Sequence, residues 1–177
     1  MKRTGKIAFC GVMCALSLVA MLLTVFPYAT YALPALAGAL LLPVALEAGV
    51  RWGVASYVAV GLLSFLLAPR MEEKLLFIVF FGYYPILGLV LLRLRSRAAA
   101  WAVKLLVFNA AMVGSYLVLL YVVGLESDAF VLFGVNLPLV FLAAGNVVFV
   151  IYDIALRQLA AMYRVRLHPV LLRIFRK

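Results

Sequence analysis

The chain has 177 residues, 69% hydrophobic and only 12% charged, with a mean hydropathy of +1.22. A soluble domain is roughly one-quarter charged, and one core of this size cannot hide so much apolar surface. A disordered chain, a soluble enzyme and a secreted disulfide scaffold are therefore excluded, which leaves an integral membrane protein. The formal charge of +10 would suggest nucleic acid in a soluble chain. Beside apolar spans, basic residues instead set orientation and meet anionic lipid, so no nucleic-acid partner is expected.

A membrane-crossing helix needs about 20 mainly apolar residues. Six stretches qualify, at about 7–26, 31–49, 52–68, 75–92, 100–125 and 130–154. The expected fold is an all-α integral membrane protein, a single domain over 1–177 with six transmembrane helices in a compact bundle. The first stretch follows basic Met1–Lys6 and is longer than the apolar core of a signal peptide, so it reads as a retained span. Cys10 and Cys14 lie one turn apart on it, with the only histidine far off at His168. They read as small helix residues, with neither a disulfide nor a metal site expected. Ala8, Gly11 and Ala15 share one face of the same span, and small residues at this spacing let helix backbones approach closely. Packing inside the bundle and docking of an external partner both fit this face.

The second stretch carries Pro34 and Pro43 and closes at Glu47 and Arg51; the third closes at Pro69–Lys74. The fourth contains the run Phe81-Gly82-Tyr83-Tyr84-Pro85, and prolines within spans free carbonyls that cavities or neighbouring helices must satisfy. Asn109 and Tyr116 fall on the fifth stretch, and Asn136, Pro138 and Asn146 on the sixth. With six spans both termini share a side. Of the 16 Lys and Arg, only Arg70 and Lys74 fall on the other, together with Glu72, Glu73, Glu126 and Asp128. The basic side is expected to be cytoplasmic. The basic tail, 157–177, reads as an amphipathic helix on anionic headgroups.

No nucleotide-binding, zinc-protease or nucleophile-elbow motif occurs, so no catalytic residue, metal or cofactor is expected. Glu47 and Asp153 precede Arg51 and Arg157 by four residues and read as neutralised interfacial pairs. No acid falls near mid-membrane on this reading, which disfavours proton or ion coupling. Polar and aromatic groups in the spans and at the first turn, Tyr28, Tyr31, Tyr84, Tyr116, Asn109 and Asn136, are the candidates for a small-molecule pocket. Belt tyrosines and helix-bridging asparagines explain the same residues equally simply.

Lys6-Ile7-Ala8 through Ala15-Leu16, Ala32-Leu33-Pro34-Ala35-Leu36-Ala37-Gly38 leading to Leu42-Pro43-Val44, and Gly145-Asn146 with Asp153 resemble the substrate-binding (S) components of energy-coupling-factor vitamin importers, the riboflavin-type branch most. The resemblance implies a plasma-membrane subunit that binds a vitamin-like molecule from outside and is not an enzyme. It also implies docking of the small residues of the first helix, here Gly11 and Ala15, to a membrane coupling subunit worked by two cytoplasmic ATPases. The contrasting reading is a structural or assembly membrane protein without a transported ligand.

Overall fold

The computed structural model describes residues 3–26, 31–92, 96–121, 131–132 and 135–169. These residues are helical save for one short strand pair. In order they form α1 (Arg3–Leu22), tightened into a 3₁₀ turn over Leu23–Val25, then α2 (Ala32–Ala39), α3 (Leu42–Glu47) and α4 (Val50–Leu67). Next come α5 (Met71–Leu76), a wide turn over Phe77–Phe81, α6 (Tyr84–Leu91) and α7 (Arg97–Tyr121). The last are β1 (Val131–Leu132), β2 (Val135–Asn136), α8 (Leu137–Met162) and a second wide turn over Tyr163–Leu167. The two strands are antiparallel, with Val131 opposite Asn136 and Leu132 opposite Val135.

Among the described residues, five helical runs are long and apolar enough to cross a membrane: Arg3–Val25, Val50–Leu67, Met71–Leu91, Arg97–Val118 and Leu142–Leu167. The expected second span is instead a shorter apolar run, Ala32–Glu47, broken at Leu40–Leu41 between α2 and α3. The expected sixth span is displaced. Its helix begins at Leu137 and continues beyond Ile154, so Arg157, Arg164 and Arg166 lie on helix and the tail starts later than the charge pattern suggests. Residues 170–177, the last part of the expected amphipathic tail, lie outside the described residues.

The outer surface is apolar. Leu66 is 75% exposed and Leu62 65%, whereas Ser17, Thr24, Ser64 and Glu73 are fully buried. This inversion suits a hydrocarbon solvent, where apolar side chains gain nothing by hiding and polar ones must.

The helices cluster into two compact units, residues 1–93 with 155–177, and residues 94–154. In the first unit Cys10, Val44 and Ala48 form one apolar layer, with Trp52 packed against it. Ala20, Met21, Ala37, Leu41, Val60 and Phe77 form a second. From the first layer to the second, residue numbers rise along α1 and α4 and fall along α3 and α2. The helices thus alternate in direction as short connections require. Close backbone approach sets this packing: a Cβ on Gly38 would lie 2.0 Å from the Phe81 carbonyl oxygen. Only glycine fits there. On the α1 side of α2, Ser17 donates its hydroxyl proton to the Ala37 carbonyl at 2.7 Å.

Prolines mark helix starts more than cavities. Pro43, Pro85 and Pro138 each occupy the second residue of their helix, where the missing N–H has no helical acceptor to lose. At Phe77–Phe81 the ladder widens, with the Gly82 N–H donating to the Phe77 carbonyl at 2.7 Å. That five-residue spacing inserts an extra residue per turn, a device frequent at functional positions.

Candidate functional site

Four places are candidates for function, one lined by small residues and three by polar side chains. The first is the outward face of α1. Ala8, Gly11 and Ala15 are exposed, and a Cβ built on Gly11 meets nothing within 4 Å. Cys10, Ser17, Ala20 and Met21 carry the buried face. The small stripe therefore lies on the exposed side of the helix, among larger exposed residues such as Ile7, Val12 and Leu16.

The second is a seam between α7 and α8 within the second unit. Lys104 donates to Asp153 Oδ1 at 2.6 Å, both residues buried, and Lys104 Nζ stands 5.5 Å from the Trp101 ring centre. One turn on, Phe108 and Phe149 stack with ring centres 4.7 Å apart. Beyond them, Asn109 and Asn146 exchange reciprocal amide hydrogen bonds of 3.0 and 3.1 Å. Each amide sends its remaining hydrogen to the carbonyl four residues back, Leu105 and Leu142, at 2.8 Å. Antiparallel register brings these pairs together, and each side chain lies on the stripe facing the other helix.

This seam corrects two expectations. Asp153 lies midway along the Leu142–Leu167 run and pairs with Lys104 from another helix, not with Arg157 alone at an interface. Lys104, taken from the sequence as part of the basic face, is buried as the partner of that acid. An ionised pair of this kind is tolerable in a low-dielectric interior only because each charge neutralises the other at hydrogen-bond distance.

The third place is the Glu47 end of the first unit. Glu47 does not pair with Arg51 through a helical turn, because the helix breaks between them. Gly49 adopts φ +104°, a conformation that costs glycine little and other residues much. Glu47 instead meets His168, whose Nδ1 lies 2.5 Å from Oε1, with the carboxylate side chain 5% exposed. The Tyr163 hydroxyl is buried beside Glu47.

The fourth is the opposite end of that unit, where Thr24, Ser64 and Glu73 are fully buried. The Thr24 hydroxyl donates to the Met21 carbonyl at 2.7 Å. Among the described residues, Ser64 Oγ and both Glu73 oxygens have no hydrogen-bond partner, and the Arg70 guanidinium stands 3.9 Å from Glu73 Oε1.

The residues proposed for a pocket scatter. Tyr31 is 67% exposed. Tyr84 is fully buried, stacked on Phe80 with ring centres 4.8 Å apart, and belongs to packing. Asn109 has its amide hydrogens engaged, and Tyr116 is half-buried on α7. Asn136 lies in β2, immediately before α8 and not on the helix. Tyr28 lies outside the described residues. Sequence reasoning left Glu73 in the polar break at Pro69–Lys74. The available signal was its position four residues before Phe77, on the inward face of the same helical run.

Among the described residues no group of three His, Cys, Asp or Glu side chains forms a metal-binding cluster. Comparison of the chain with protein-family models, with curated proteins and with solved structures finds no match.

Proposed function

We propose that the chain is the substrate-capture subunit of an energy-coupling-factor-type importer, taking a vitamin-like molecule from the outside of the plasma membrane and docking to a membrane coupling subunit through Ala8, Gly11 and Ala15. The observation that carries this reading is the outward small-residue stripe of α1, which leaves backbone exposed for close approach by another helix. The sequence resemblance assigns docking to the same positions. In this reading Ala32–Glu47 is a sixth, short and broken crossing, both ends of the chain are cytoplasmic, and the basic residues there meet anionic lipid and the two ATPases.

Replacing Gly11 and Ala15 together by Leu tests the assignment. Uptake and co-purification of the energising subunits are expected to be lost, while binding of a riboflavin-like heterocycle to the purified subunit stays unchanged. Normal uptake by the double variant would overturn the docking role. Recovery of unrelated membrane complexes in place of coupling subunit and ATPases would instead support an assembly protein without a transported ligand.

A further inference from the structure

The polar end of the first unit has a composition unlike the rest of the interior. Met21, Val60 and Phe77 belong to one apolar layer. One turn further toward the same end, α1 contributes Thr24, α4 Ser64 and α5 Glu73. Helical spacing of three or four residues keeps each on the inward stripe of its element, and all three are fully buried. A polar layer thus sits directly on an apolar one.

The groups in that layer are rich in acceptors, and their one uncommitted donor is the Ser64 hydroxyl. Thr24 spends its hydroxyl proton on the Met21 carbonyl, leaving oxygen lone pairs. Among the described residues, Ser64 Oγ and both Glu73 oxygens lack hydrogen-bond partners. The nearest cation is Arg70, whose Nη1 stands 3.9 Å from Glu73 Oε1 on a side chain 44% exposed. That is beyond hydrogen-bond distance, and it leaves the second carboxylate oxygen untouched. A buried carboxylate must be neutralised or hydrogen-bonded to persist.

We propose that Glu73, Ser64 and Thr24 form a buried binding site for one small monovalent cation, an alkali ion of the sodium class. Oxygen donors suit hard cations, not transition metals. One carboxylate balances one positive charge, whereas a divalent ion would leave a net charge buried. Arg70 then acts as a competitor at the rim. The site stands apart from the importer reading, because its test reads ion-dependent unfolding and no uptake.

The full chain in detergent is unfolded thermally at constant ionic strength, with LiCl, NaCl or KCl replacing N-methyl-D-glucamine chloride. An alkali cation at about ten times its dissociation constant is expected to raise Tm by roughly 3–6 °C. Glu73→Gln is expected to abolish the response, and Arg70→Gln to lower the cation concentration needed for it. Identical Tm in all salts, or an equal response in wild type and Glu73→Gln, would overturn the site. So would stabilisation by acid with no response to any alkali ion, which would assign a proton instead. Should Glu73→Gln not fold, Ser64→Ala keeps the carboxylate. It is expected to raise the midpoint cation concentration, and an unchanged midpoint counts against the proposal.

Discussion

The α7–α8 seam and the Glu73 end of the first unit handle buried polarity in opposite ways. In the seam a lysine meets an aspartate at 2.6 Å and two asparagines exchange amide bonds. Ser115 is the buried side chain there left without a hydrogen bond, among the described residues. At the Glu73 end, among the described residues, a carboxylate and a serine hydroxyl are buried with no hydrogen-bond partner, and the carboxylate meets only the Arg70 guanidinium, at 3.9 Å. Unpaired polarity is expensive in a medium without water. The contrast is between groups that satisfy one another across two helices and groups that do not.

The sharpest way to break the contrast is to unpair the seam. Asp153→Ala should strand the Lys104 charge and cost about 3–5 kcal/mol, read as lost thermal or denaturant resistance in detergent. The double variant Lys104→Met with Asp153→Leu should regain most of that stability, because both charges go together. Gly38→Ala ranks next. Its methyl would run into the Phe81 carbonyl, and a loss of about 1–3 kcal/mol is expected from the forced backbone shift.

Asn146→Leu should cost less, about 0.6–1.7 kcal/mol, the range measured for hydrogen bonds between membrane helices. The same substitution at Asn109 should add almost nothing on top, since the two share one pair of bonds; full additivity in the double variant would show that the asparagines act separately. Smallest is Gly11→Leu, expected to change stability by under about 0.5 kcal/mol because its site is open. A large loss there would place the stripe inside a packed interface and remove the case for docking.

Legibility in the sequence followed the range of the interaction. The third span was read to within a few residues, 52–68 against Val50–Leu67, because its apolarity is continuous and its flanks are polar. The second and sixth were not. Apolarity runs unbroken through Leu40–Leu41, and no charge marks the turn there. In the sixth, basic residues from Arg157 onward suggested an end that the helix passes by. The small face of α1 was visible as spacing; its outward direction was not.

Composition alone determined that this chain is built from apolar helices, since hydropathy is a sum over neighbouring residues and needs no fold to evaluate. Tertiary structure decided which charge meets which. The break at Gly49 removes Arg51 from Glu47 and leaves His168 in its place. The antiparallel register of α7 and α8 delivers Lys104 to Asp153 across a long stretch of chain. Helical spacing fixes only the face on which a side chain stands, and its partner depends on the packing of another helix against that face.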